Sequence, residues 1–201
     1  MEPAEEKTLI ISHQSSSAEK SGKSNSVFRS DRANLLDNWL KKTSKNGSVK
    51  LVNDDVLMAN VLEITGSCSG AYIHYTNPDM DASNLATAPY LCLILRNIKK
   101  HFSLEVCFVD DMNLRRRIRM DTTAEQPSLK NFLATLPLKL TDTITTKQDW
   151  NYLCLDMESL AATLFRAKYV RTLKIRMFIT NFHRFTQTAG CIGFISTKPN
   201  A

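Results

Sequence analysis

The stretch "VDDMNLRRRIRM", Val109–Met120, packs four arginines into the five positions from Arg115 to Arg119. Its flanks alternate apolar and polar residues, which reads as ordered β-structure and not as a loose basic tail. In a strand, alternate residues face opposite sides. Leu114, Arg116, Ile118 and Met120 then share one face, and Arg115, Arg117 and Arg119 share the other. The preceding run "FSLEVCFV" places Leu104, Val106 and Phe108 together. Matching these apolar rows across a hairpin requires even pairing sums, hence a loop of three or five residues. A slip of one residue would turn three arginines into the core. In either allowed register Glu105 lies opposite Arg117 or Arg119. One such surface pair contributes about 0.2–1 kcal/mol and neutralises one arginine of the three. Arg116, on the apolar side, is expected to reach the sheet edge or to pair with Asp110 or Asp111.

The rest of the chain extends this pattern. "YLCLILRNI" is apolar at nearly every position, as in a central strand covered on both faces. "SVKLV", "MANVLEIT", "AYIHYT", "LKNFLATLPLKL", "WNYLCL" and "TLKIRMFIT" read as further short strands. Asn46-Gly47 marks a tight turn between "NWLKKTSK" and "SVKLV", and "GSCSG" suits a hairpin or bulged loop between "MANVLEIT" and "AYIHYT". One segment breaks the period of two. Met157, Leu160, Ala161 and Leu164 form a helix face, and Asp156 is a suitable N-cap. The expectation is a mainly β protein, an antiparallel β-sandwich or jelly roll with one α-helix over about 156–167. Residues 1–33, rich in Ser, Lys and Glu without apolar periodicity, read as a disordered tail. Residues 34–195 form a single domain, and 196–201 a short C-terminal tail.

The net charge is +6. Residues 1–33 carry five basic and five acidic residues, so the whole surplus falls in the folded part. That implies an acidic partner: nucleic acid, an anionic membrane face or an acidic protein surface. The candidate contacts are Arg115, Arg117 and Arg119, with Lys99, Lys100, Lys41 and Lys42 as further basic positions. A nucleic-acid-binding module is the alternative, but it needs exposed aromatics beside the arginines. The apolar neighbours on that strand are aliphatic and face the other way. A sugar-binding sandwich would need a flat aromatic platform from Trp39, Tyr72, Tyr75, Trp150 and Tyr152. Tyr72 and Tyr75, three apart, fall on opposite strand faces, and core packing suits most of these rings.

No P-loop, GxGxxG, GxSxG or HExxH motif is present. His13, His74, His101 and His183 are scattered, so no metal or cofactor is expected. The pairs Asp54-Asp55 and Asp110-Asp111 stand in turn contexts, where Asp serves backbone hydrogen bonding. Five dispersed cysteines without CxxC spacing argue against a disulfide framework. Cys92, Cys107 and Cys154 read as small buried hydrophobes. No run of 18 apolar residues exists, and the first thirty residues lack the apolar core of a secretory leader, so a cytosolic or nuclear protein is expected.

"LRNIKKHFSLEVCFVDDMNLRRRIRM" resembles the segment of the cilia- and flagella-associated protein 20 family that runs basic turn, strand, Asp-Asp, arginine run. "WLKKTSKNGSVKLVNDDVLMANVLEITG", "PYLCLILRNI", "FLATLPLKL" and "WNYLCLDMESLAATLFRAKYVRTLKIRMFITN" match in the same order, and the resemblance covers about Leu35 to Phe185. It implies a β-sandwich with one helix and a non-enzymatic, structural role without a cofactor. The family's founding member lies at the inner junction of ciliary doublet microtubules, and relatives occur at centrioles and basal bodies. The implied partners are tubulin, whose surface is strongly negative, and neighbouring junction proteins. The implied location is the cytoskeleton of the cilium or flagellum. The Ser/Lys-rich start, the longer loop "TDTITTKQD" and the end "TQTAGCIGFISTKPNA", which lacks an acidic closing segment, mark a divergent paralogue.

Overall fold

The computed structural model describes residues 39–43, 47–55, 59–65, 71–76, 87–96, 101–140, 150–179 and 189–196. Both expected tails lie outside them, apart from Ser196, as do Lys99, Lys100 and the loop at 141–149. Among the described residues, twelve strands and one helix occur in the order β1 (Trp39–Thr43), β2 (Ser48–Asp54), β3 (Ala59–Thr65), β4 (Ala71–Thr76), β5 (Tyr90–Arg96), β6 (Phe102–Asp110), β7 (Arg115–Asp121), β8 (Ser128–Lys130), β9 (Leu133–Pro137), β10 (Trp150–Asp156), α1 (Met157–Phe165), β11 (Tyr169–Ile179) and β12 (Ala189–Ser196). They build two sheets, β1-β4-β11-β6-β7-β9-β8 and β10-β5-β12-β3-β2.

The expected sandwich is present. Leu104, Val106, Phe108, Ile118, Ile175 and Met177 from the seven-stranded sheet share one core with Leu62, Ile64, Leu91, Leu93, Leu95, Leu153 and Leu155 from the other. Each set sits at alternate positions of its strands, so burial of one face fixes the register of every strand that carries it. β5 is interior, between β10 and β12, as its apolar sequence requires.

Three pairings depart from the sequence reading. β1 pairs with β4 and β2 with β3, so the Asn46-Gly47 segment joins strands of different sheets and not a hairpin. For the same reason the "GSCSG" segment carries the chain from β3 in one sheet to β4 in the other. The seven-stranded sheet is also not wholly antiparallel, because β9 runs parallel to β7. The chain passes β7, forms the short exposed edge strand β8, turns at Asn131 with φ 52° and inserts β9 between them. Finally, β12 lies between β5 and β3, although "AGCIGFIS" did not stand out as a strand.

The helix is close to expectation. Asp156 adopts an extended conformation and its Oδ1 accepts from the Ser159 amide at 3.0 Å, while the Ser159 hydroxyl donates to Oδ2 at 2.8 Å. Met157 and Ala161 are buried, with Leu160 and Leu164 packed against the core. The helix stops at Arg166 in the left-handed conformation, φ 52°, whose amide donates back to Ala162. Because α1 follows β10 of one sheet and precedes β11 of the other, it closes one end of the sandwich. Asp156→Ala should lower unfolding free energy by about 1 kcal/mol by removing the cap, read from the denaturation midpoint, with the helix retained in the circular dichroism of the folded state.

Candidate functional site: the outer face of the seven-stranded sheet

The β6–β7 hairpin obeys the parity expected from its apolar rows. Leu104 pairs with Met120, Val106 with Ile118 and Val109 with Arg115, leaving a five-residue loop. Asp110 holds that loop. Its Oδ1 accepts from the amides of Met112 at 3.1 Å and Leu114 at 2.7 Å. Asn113 takes the positive φ of 59° that the turn needs, a conformation Asn tolerates. The Oδ2 of Asp110 accepts from Arg116 Nε at 2.8 Å, in a buried ion pair. The guanidinium of Arg116 lies over the rings of Phe132 and Phe165, 5.0 and 5.2 Å from their centroids. Arg116 is thus a structural residue, paired with one of the two acids expected. Asp111 instead accepts from the Lys168 amide at 3.0 Å, and Asp54 pairs with Arg96 at 3.0 Å. Both Asp-Asp pairs therefore include a carboxylate engaged in structural pairing.

The remaining arginines project outward. Glu105 sits opposite Arg119, and its Oε2 accepts from Arg119 Nη2 at 2.7 Å and Nε at 3.2 Å. Its other oxygen lies 4.0 Å from Arg117. Glu105 is itself buried, at 8% exposure, so this is not the simple surface pair that alternation implied. The side chains of Arg117 and Arg119 remain 48% and 31% exposed, and Arg115 is exposed. One buried acid thus sits beneath two cations without covering them.

Register extends this face across neighbouring strands. Arg119, Glu105, Arg176, His74 and Leu40 form one row, and Arg117, Cys107 and Lys174 another. Arg176 stacks on Tyr72 at 4.3 Å and Phe178 at 5.2 Å, and Arg119 lies over Phe178 at 5.6 Å. Lys42 lies 5.9 Å from the Tyr72 ring centroid. Burial, followed by the charges of Lys174 and Arg176, pushes the pKa of His74 below its usual value, so it stays neutral within this cationic field. Lys174 and Arg176 were missed in the sequence reading. The alternation of Lys174, Arg176 and Phe178 against Ile175 and Met177 in "TLKIRMFIT" is the signal that marks them. Lys42 joins the face, but Lys41 pairs in register with core-side Ile73 and lies on the opposite side of β1. The aromatics absent from the arginine strand are supplied by β4 and β11 as Tyr72 and Phe178. Trp39 and Tyr75 pack in the core, and Tyr152 is exposed.

The profile of the CFA20 domain matches residues 17–182. The chain belongs to the CFA20 domain family. It is 32% identical over 154 residues to the Cilia- and flagella-associated protein 20 of Chlamydomonas reinhardtii, covering 76% of each chain. Identity to the protein of the same name from Paramecium tetraurelia is 28% over 152 residues, again 76% of each. Among solved structures, a family 11 carbohydrate-binding module of Clostridium thermocellum superposes with a TM-score of 0.44 at 11% identity, over 88% of this chain and 95% of that one.

Two acids of the CFA20 domain here link the face to pH. Burial pushes the carboxyl of Asp110 up, but hydrogen bonds from Arg116, Leu114 and Met112 and the Arg116 charge outweigh it, holding the pKa below 3.8. For Asp121 burial is likewise outweighed, by the hydroxyls of Thr123 and Ser103, the Thr123 amide and the Arg119 charge. A depressed folded pKa contributes stability that is present above the unfolded value and lost as pH falls through the folded one. Stability should therefore drop as pH falls below about 4. Asp110→Asn should cost about 3 kcal/mol or more at neutral pH by leaving Arg116 unpaired, and should flatten that acid limb in urea titrations.

Proposed function

We propose that this chain is a non-enzymatic structural protein of the cilium or flagellum that binds microtubules through the outer face of its seven-stranded sheet. Membership of the CFA20 domain family, with relatives named for cilia and flagella, supports the ciliary setting. The observation that carries the contact is the register that collects Arg115, Arg117, Arg119, Lys174, Arg176 and Lys42 on one face against Glu105 and Asp121. Tubulin presents the acidic surface such a face requires. Cations fixed on a sheet by stacking and ion pairing lose less conformational freedom on binding than cations on a tail. The doublet inner junction, where two tubules meet, is the position this reading favours, with the centriole or basal body as further places of use.

A second reading, nucleic-acid binding, is favoured by one observation: Tyr72 and Phe178 share the basic face. Arg176 lies over both rings and would have to move before a base could stack.

Arg115, Arg117 and Lys174 are the residues to change, because Arg119 also satisfies buried Glu105. The full chain should sediment with taxol-stabilised microtubules and release as salt rises. Arg115/Arg117/Lys174→Ala should weaken binding roughly tenfold or more without lowering the thermal midpoint. Undiminished sedimentation of the triple variant would remove the face from the contact. Retention of random RNA or DNA in a gel shift, with no sedimentation, would favour the second reading.

A further inference from the structure

The outer face of the other sheet carries a feature of different chemistry. Cys92 on β5 and Cys154 on β10 are direct partners in the antiparallel register, and both alternate with core leucines, Leu91 and Leu93 on one strand and Leu153 and Leu155 on the other. Their sulfurs are 2.6 Å apart. Cys92 is buried and Cys154 is exposed, which corrects the expectation that both are buried apolar fillers. Directly opposed residues in an antiparallel pair have Cα atoms about 4.5 or 5.5 Å apart. Both spacings fall inside the range of about 4.4–6.8 Å that a disulfide bridges. The register alone therefore brings the two Cα atoms within disulfide reach. Tyr152, two residues before Cys154 and about half exposed, borders the same pair, and its pKa is pushed up by the partial burial of its phenol and by both neighbouring sulfurs. Cys107 lies on the outer face of the other sheet and cannot compete for either thiol.

We propose that Cys92 and Cys154 are an oxidation site that a small-molecule disulfide converts to a cross-strand disulfide. Cys154, the accessible thiol, loses its proton and attacks one sulfur of the oxidant, expelling a thiolate and forming a mixed disulfide. Cys92, deprotonated in turn, attacks the Cys154 sulfur. The Cys92–Cys154 bond forms, the mixed disulfide breaks, and the second small thiolate leaves. Two protein thiols are oxidised and one small disulfide is reduced to two thiols. The bridge pins β10, the edge strand of its sheet, to β5 at the strand that leads into Asp156 and α1. It closes a loop across a sequence separation of 62 residues.

The test is incubation of the folded full chain with oxidised glutathione, alkylation of remaining thiols, and peptide mapping. The expected product is a dithiothreitol-reversible peptide pair joining Cys92 to Cys154. It should be absent from Cys154→Ser, a change at an exposed position that leaves the circular dichroism unchanged. The oxidised chain should melt roughly 5–15 °C higher than the reduced one, and Cys154→Ser should show no such rise. Full alkylation of both thiols after oxidation would overturn the site. So would a stable glutathione adduct on Cys154, or a pair joining either cysteine to a different one.

Discussion

Asp110 is the side chain on which the placement of the basic face rests. One oxygen ties two loop amides and the other holds Arg116, the arginine that alternation sends toward the core. These contacts fix the hairpin loop at five residues and thereby the parity of the β6–β7 pair. Once parity is fixed, Arg115, Arg117 and Arg119 have only the outer side to occupy. Arg116 would be a buried charge without compensation in the absence of Asp110. With it, the guanidinium packs as a flat plate against Phe132 and Phe165, a use that its planar, weakly hydrated shape permits and a lysine ammonium would not.

The outer face solves a problem that a single strand of arginines cannot. Like charges crowded on a sheet repel, and long side chains lose rotamer entropy when ordered. Glu105, buried in the middle of the face, offsets part of the repulsion from below while leaving Arg117 half-exposed. Tyr72 and Phe178 give Arg176 and Arg119 aromatic surfaces to lie on. Cation–π contacts of this kind contribute about 0.5–2 kcal/mol, enough to bias the side chains toward one arrangement. The result is positive charge held at fixed positions on β1, β11 and β7, not confined to β7.

How much of this is legible in the chain follows from what alternation encodes. Period two assigns a face to each residue, so the sides of Leu104, Arg116 and Arg119, the split of Tyr72 from Tyr75, and the helix face from Met157 to Leu164 can be read directly. It does not say which strand lies next to which. Asn46-Gly47 and "GSCSG" are genuine punctuation, but punctuation is equally compatible with a hairpin and with a crossing between sheets. The parallel entry of β9 and the central place of β12 are decided by long-range pairing. The two glycines of "AGCIGFIS" also weaken its strand signal. Lys174 and Arg176 were legible as a pair on one face, but their proximity to Arg117 and Arg119 depends on β11 pairing with β6, which are remote in sequence. The exposure of Cys154 is legible only once β10 is known to be an edge strand.

The two outer faces differ in a way that bears on function. On the five-stranded sheet, Lys50 stands opposite Glu63 in register and Arg96 is paired with Asp54. The described lysine and arginine of those strands each face an acid, whereas most cations of the seven-stranded sheet do not. A protein with a surplus of +6 spread evenly would be attracted to an acidic lattice in any orientation. Among the described residues the unmatched positive charge is concentrated on one face, which would orient the approach of an acidic partner within about a Debye length, roughly 8 Å at physiological salt. The Cys92–Cys154 pair occupies the charge-matched side, with the core of the sandwich between it and the arginines. The thiol pair and the arginines therefore lie on opposite outer faces of the sandwich, and the two proposed roles draw on separate side chains.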